Sequence, residues 1–234
     1  VTQLPIDEAF DPSVLIFAAI AIFVLWKLRS VLGERHDRQG PTPSRFQPSD
    51  APARGGPLPG AAPISGAAKP LPADRWNGVA ELGSKAWVGL DSIAAADPAF
   101  SGPGFIDGAR KAYEIIVAAF AKGDRDTLRG LLSADVFDSF ASEISARETR
   151  GESVESALVS IDSATVDDAR ALPQSNSVTV RFVSKLITAR RNREGQIIEG
   201  DLDHAAKIVD LWTFARNPKA RDPNWKLVAT ETVR

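Results

Sequence analysis

The apolar positions of this chain change period along its length, and each change marks a different kind of structure. Pro12 to Leu28, PSVLIFAAIAIFVLWKL, is a continuous apolar run: no charge interrupts Pro12 to Trp26, and the stem of Lys27 snorkels so that Leu28 joins it. These seventeen residues at a rise of ~1.5 Å cover about 25 Å, near the lower limit for crossing a hydrocarbon core of about 30 Å. One membrane-spanning helix is expected, with a short apolar core helix as the competing reading. From Gly33 to Pro72 the pattern vanishes: proline recurs and large apolar side chains are scarce. Such a stretch buries too little surface to offset ordering entropy, which predicts a disordered linker with polyproline character.

Helical spacing begins near Asp74. Trp76, Val79, Ala80, Gly83, Trp87 and Leu90 predict a helix over about 76–93 whose tryptophan stripe docks either on its own domain or on a membrane surface. After DPAFSGPG, the residues Ile106, Ala109, Tyr113, Ile116, Val117 and Phe120 step by three and four, predicting a helix from Phe105 to Lys122 with Gly123 as its stop and Asp124 as the next N-cap. A short helix through Leu128, Leu131 and Leu132 follows. Another, capped by Ser133 or Asp135, presents Val136, Phe137, Phe140 and Ile144 and ends in the charged run ARETRGE.

Beyond Gly151 the period becomes two. Residues 158–170, 177–190, 205–215 and 225–233 predict strands separated by the turn chemistry of LPQSN, NREG and RNPKARDPN, with NREG closing a hairpin whose return strand runs on through Gln196 to Glu199. Helices followed by sequential strands make an α+β domain, helices packed on a four-stranded antiparallel sheet. No βαβ alternation appears, which argues against a nucleotide-binding parallel sheet. The predicted organisation is an N-terminal segment and anchor (1–32), a Pro/Gly-rich linker (33–73) and one domain (74–234), whose first part (74–97) is the docking or membrane-facing helix.

Charge orients this arrangement. Asp7, Glu8 and Asp11 precede the apolar run, whereas Lys27, Arg29, Arg35 and Arg38 follow it, so the N-terminus is expected outside and the domain in the cytoplasm. A cleaved signal peptide would show the opposite order. Trp26, Lys27, Arg29 and Arg35 form the predicted membrane interface, and the basic excess there either attracts anionic lipid or only fixes topology. A net charge of -2 argues against a general nucleic-acid binder, and the absence of cysteine with only two histidines excludes disulfides, thiolate metal sites and histidine-rich metal sites. No cofactor, metal or small-molecule substrate is expected.

Candidate chemistry is sparse. Asp210 in IVDLWTF shares a strand face with Ile208, Trp212 and Phe214, where an ionised carboxylate needs a partner. Arg181 or Lys185 from the strand VRFVSKLITARR is the expected cation, with a ligand-orienting or acid/base role as the alternatives. Tyr113, the single tyrosine, should bury its ring and pair its hydroxyl. Ile116, Phe137 and Phe140 on helices and Trp212 and Phe214 on a strand would line a concave ligand site with Tyr113 and Asp210. His204 reads as an exposed turn residue, and Arg190, Arg191 and Arg193 as a solvated hairpin tip open to headgroups or an acidic partner. An RNA contact through the basic strand lacks stacking aromatics other than Phe182. No catalytic set emerges.

Four stretches carry a family likeness: LRSVLGERHDRQG, GARKAYEIIVAAFAKGDRDTLRGLLSADVFDSF, the pair ISARETRGE and VRFVSKLIT, and VDLWTFARNPKARDPNWKLVAT. In their order the chain resembles bacterial members of the Tim44-like domain family, related to the matrix-side subunit of the mitochondrial presequence translocase. The resemblance implies a cone-like, NTF2- or cystatin-like domain with a large apolar pocket at an energy-transducing membrane. Mitochondrial members scaffold a heat-shock motor and bind cardiolipin. This chain departs from them in its short Pro/Gly-rich tether and its membrane helix. The expectation is a single-pass, membrane-anchored, non-enzymatic adaptor at the cytoplasmic face of the bacterial inner membrane, holding a protein partner or membrane complex linked to protein transport, with cardiolipin as a candidate anionic lipid. The alternative is a lipid- or apolar-ligand-binding module.

Overall fold

The computed structural model describes residues 75–233 apart from 221 and 223. The apolar run Pro12–Leu28, the interface residues Trp26, Lys27, Arg29 and Arg35, and the linker 33–73 lie outside the described residues. Among the described residues, no helix is long and apolar enough to cross a membrane.

The predicted helix over 76–93 is two pieces. Gly83 takes a left-handed φ of 74°, which breaks the helical ladder, so residues 75–79 form a turn and helix α1 spans Lys85–Ala96. Ser84 caps it, its hydroxyl accepting from the Trp87 N–H at 3.1 Å. The tryptophan stripe nevertheless packs on the domain itself: Trp76, Val79, Trp87, Leu90 and Ile93 are all buried in one core. The turn is tied down by the Val166 N–H donating to the Val79 carbonyl at 2.7 Å. The Trp76 indole N–H donates to Asp91 at 2.8 Å, and Arg75, also bonded to Asp91, stacks on the Trp76 ring.

Helix α2, Gly102–Lys122, starts with Ser101 as N-cap and Pro103 in its first turn, and ends at Gly123, whose φ of 75° closes the last turn. Asp124 then caps α3, Arg125–Leu131, accepting from the Thr127 N–H at 3.0 Å. Helix α4, Ala134–Arg150, begins at Ser133, which makes no side-chain cap bond. Within the charged run that ends α4, Arg147 turns inward, only 5% exposed. Its guanidinium donates to the carbonyls of Phe120 and Ala121 at 2.5 and 2.9 Å and caps the C-terminal end of α2.

The strands β1 (Ser153–Leu172), β2 (Ser175–Arg191), β3 (Ile197–Arg216) and β4 (Lys226–Thr232) form one antiparallel sheet in sequential order. The first three outrun their predicted lengths. Three register shifts along the β1–β2 ladder bend β1 and interrupt its alternation. Helices α1 and α2 cover one sheet face, where Tyr113, Ile116 and Phe120 meet the buried face of β2 and β3, including Val180, Phe182 and Trp212.

Gly89 is where α1 comes closest to the sheet: a Cβ there would lie 1.9 Å from the Ala169 carbonyl oxygen. Gly89→Ala should therefore destabilise the domain by about 1–3 kcal/mol through overpacking. Gly108→Ala, whose Cβ meets nothing within 4 Å, should stabilise it by about 0.5–1 kcal/mol. Urea unfolding midpoints of the two variants check this contrast.

Candidate functional site

Two places gather the residues with chemistry to offer. The first is sealed. Helix α2 brings Tyr113 down between Phe182 and Trp212, at ring-centre distances of 4.6 and 4.5 Å, with no exposed surface. Its hydroxyl donates to Asp210 Oδ2 at 2.8 Å and lies 2.9 Å from Ser184 Oγ, which leaves the Ser184 hydroxyl to donate to the tyrosine oxygen. Thr232 donates to Asp210 Oδ1 at 2.7 Å.

The cation expected beside Asp210 is a correction. Arg181 pairs with Asp167 and Lys185 with Asp162, because both cations lie on the other sheet face from the carboxylate. Burial raises the Asp210 pKa, and the bonds from Thr232 and Tyr113 offset part of that rise. Burial likewise pushes the Tyr113 phenol well up, reinforced by the neighbouring Asp210. Beside this group a cavity of about 20 Å3 is lined by Ile116, Phe140, Asp210 and Trp212 among others, which is room for a single water. Tyr113 and Ser184 have no exposed surface and Asp210 is 3% exposed, so the group is buried within the domain.

The other named pocket residues stand apart. Phe137 packs under the Arg129 guanidinium at 4.6 Å, and Phe214 belongs to the second place. That is an open groove of about 550 Å3 at the end of the domain where α2 begins. Phe100, Phe105 and Trp225 form its aromatic wall, with Phe105 and Trp225 edge to face at 4.9 Å and Phe100 6.0 Å from Trp225. Gly104, Gly108 and Ala112 leave the α2 side bare. Arg216, bonded to Asp97, covers the Trp225 ring at 5.1 Å. A shallower trough of about 380 Å3, with Ala118, Lys122, Ala157 and Leu202 on its lining, lies toward the far end of α2.

Sequence reasoning missed Phe100, Phe105, Arg216 and Trp225 as a site. The available signal was aromatic residues inside or beside loops rich in glycine and proline, DPAFSGPG and RNPKARDPN. At the hairpin expected to be a solvated tip, Arg190 pairs with Glu152 and Glu199 and Arg191 with Glu155, so these two arginines tie the end of β2 to both neighbouring strands. His204 sits within β3, exposed and paired with Asp201, which raises its pKa. Among the described residues, no group of three acidic or histidine side chains is placed to hold a metal.

A family model described as the Tim44-like domain matches residues 86–232, more than half of the chain and the whole run from α1 to the end of β4. The chain belongs to the Tim44-like domain family. The Tim44-like region is similar to mitochondrial import inner membrane translocase subunit TIM44-1 of Arabidopsis thaliana, 26% identical over 122 residues, which cover 52% of this chain and 26% of the relative. It is also similar to the human mitochondrial import inner membrane translocase subunit TIM44, 22% identical over 142 residues, covering 59% of this chain and 31% of that protein. The chain thus spans about a quarter to a third of the curated relatives it matches. Among solved structures, a Streptomyces avermitilis protein of the NTF2-like family aligns over 55% of this chain and 97% of that one at 16% identity, with a TM-score of 0.32 that decides nothing by itself.

The Tim44-like sheet buries Asp210 at a cost that depends on pH. Because its carboxyl titrates higher folded than unfolded, the folded chain keeps a proton that the unfolded chain, with a carboxyl near ~4, has already lost, so stability falls as pH rises through that window. The unfolding free energy of wild type minus that of Asp210→Asn should therefore decline above about pH 4 and level off once the folded carboxyl is ionised. Urea titrations across a pH series measure it, and a flat difference would contradict the assignment.

Proposed function

We propose that this chain is a membrane-anchored, non-enzymatic adaptor that holds a protein partner or membrane complex at the cytoplasmic face of a bacterial inner membrane, in the service of protein transport. Membership of the Tim44-like family supports the transport link, since its matched relatives are named as import translocase subunits. The observation that carries the adaptor reading is the contrast between the two places: the polar group is sealed and the open groove is aromatic. An aromatic wall facing a bare helix side suits the seating of apolar side chains or an extended segment, whereas catalysis needs acid, base or nucleophile converging where substrate can reach. Affinity capture of the full chain from gently solubilised membranes should return a defined complex that is lost in Trp225→Ala. Recovery of only the free protein at native expression would overturn the reading.

Anchoring belongs to the same proposal. Pro12–Leu28 spans once, N-terminus out, with Trp26, Lys27, Arg29 and Arg35 at the inner interface, where an anionic lipid such as cardiolipin suits the basic excess. Ile20→Arg should cost ~2.5–3.5 kcal/mol of insertion and release the protein from membranes or lower its level. Extraction of the intact chain by alkaline carbonate would refute a spanning segment.

The size and aromatic wall of the groove also favour a second reading, a lipid or other partly apolar ligand held against Phe100, Phe105 and Trp225, with Ser101, Arg216 and Asn224 on the same lining. Of the sequence-predicted pocket set Tyr113, Ile116, Phe137, Phe140, Asp210, Trp212 and Phe214, Phe214 lines this groove. Native mass spectrometry of the purified chain should then show bound lipid that Trp225→Ala removes.

A further inference from the structure

We propose that residues 75–82 are a releasable strap, a built-in occupant of the open edge of β1 that an extended, tryptophan-bearing segment of a protein partner displaces. The proposal rests on the adaptor reading and names where such a partner docks and what it must remove. Three holds keep the strap in place. The Val166 N–H, on the edge of β1 that no other strand covers, donates to the Val79 carbonyl at 2.7 Å. Trp76 and Val79, each 3% exposed, fill the niche left by Gly102 at the start of α2, where a Cβ would lie 2.6 Å from the indole and 3.3 Å from the Val79 side chain. Asp91 Oδ1 accepts from the Trp76 indole N–H at 2.8 Å and from Arg75 Nε at 3.0 Å, so one oxygen of α1 latches the outer end of the strap.

The strap is separable from the body of the domain. At Gly83, with φ of 74°, a Cβ would meet nothing within 4 Å, so the backbone there turns without steric cost. Helix α1 carries its own cap, the Ser84 hydroxyl on the Trp87 N–H, and its first turn does not need the strap. The matched family region begins at residue 86, after both strap and hinge. Among the described residues, the bond from Val166 to Val79 is the one backbone hydrogen bond between strap and sheet. Withdrawal therefore leaves a single edge N–H without its acceptor and an indole-sized niche beside Phe100, a residue that also lines the groove. The strap itself displays the chemistry of its competitor: an extended backbone that adds to the β1 edge, with one large ring seated at Gly102. A smaller side chain would leave the niche partly empty and lose its packing.

Hydrogen exchange and peptide binding, both on the full chain in detergent micelles, test this. The Val166 amide should exchange through strap release at a rate almost independent of urea below the unfolding transition, whereas the amide of Val180 at the sheet centre follows global unfolding. Asp91→Ala cuts the latch at the other end of the strap and should speed Val166 exchange about tenfold; an edge amide that merely frays would not respond. A Val166 amide with the urea dependence of Val180, or one indifferent to Asp91→Ala, overturns the strap. The free peptide RWNGVAELG, residues 75–83, should bind Trp76→Ala at least about tenfold more tightly than wild type, where it competes with a tethered copy. The same peptide with alanine for tryptophan should bind neither chain. Equal binding to both chains, or binding to neither, overturns displacement; where Trp76→Ala does not fold, Asp91→Ala takes its place in the comparison. Capture of the membrane complex and its loss in Trp225→Ala are read separately, so the strap can fail while the adaptor reading stands.

Discussion

Everything in this domain hangs on one buried carboxylate that has hydroxyls for partners. Asp210 is 3% exposed and draws its hydrogen bonds from Tyr113 on α2 and Thr232 on β4, with Ser184 on β2 completing the chain of donors. An unpartnered carboxylate in that interior would be costly, so the helix and three strands must all be in place before the burial is tolerable. The group also fixes register. Asp210 stands opposite Phe182 on β2 and Thr232 on β4, and a one-residue slip of β3 would send it to the other face and turn its neighbours outward.

The same docking explains why the open space lies where it does. Tyr113 holds the middle of α2 against Phe182 and Trp212, and the helix cannot shift along the sheet without losing both its stacking and its hydroxyl partners. On the groove side, α2 carries Gly104, Gly108 and Ala112, too small to fill the gap toward Trp225. A core usually closes such a gap with a larger residue. Here Phe100 and Trp225 arrive from two loops and pack with Phe105 of α2 at the edge, so the rings form a wall beside the small side chains of the helix. The groove follows from a rigidly placed helix with small side chains at one end.

What could be read from the chain and what could not follows the same division. The α2 periodicity, the Gly123 stop and the Asp124 cap depend on neighbours within a few residues, and they stand as expected. The helix over 76–93 did not, because its apolar spacing continues through Gly83 while the backbone there turns left-handed. Nor were the full strand lengths legible: the shifts near Leu158, Ile161 and Val166 move the alternation of β1 from face to face. Asp210 was identifiable as an oddity, but its partners come from positions far apart in sequence, Tyr113 and Thr232, and depend on a register no local pattern encodes. The groove was invisible for a related reason. Phe100 and Trp225 lie beside α2 and β4 in loops that have no period at all.

The sealed and the open places differ in how much change each tolerates. Around Asp210, every donor has one acceptor and every ring is packed on two sides, so substitution is felt by four elements at once. Around Trp225, the rings of Phe100 and Phe105 and the Arg216 guanidinium pack on the indole, and the Asp97–Arg216 pair is largely buried, with side chains 17% and 19% exposed. Gly108, where an added Cβ meets nothing within 4 Å, marks the side of the groove on which change meets fewest neighbours. Tolerance to change in this domain therefore lies along the open side of the groove and not in the sheet.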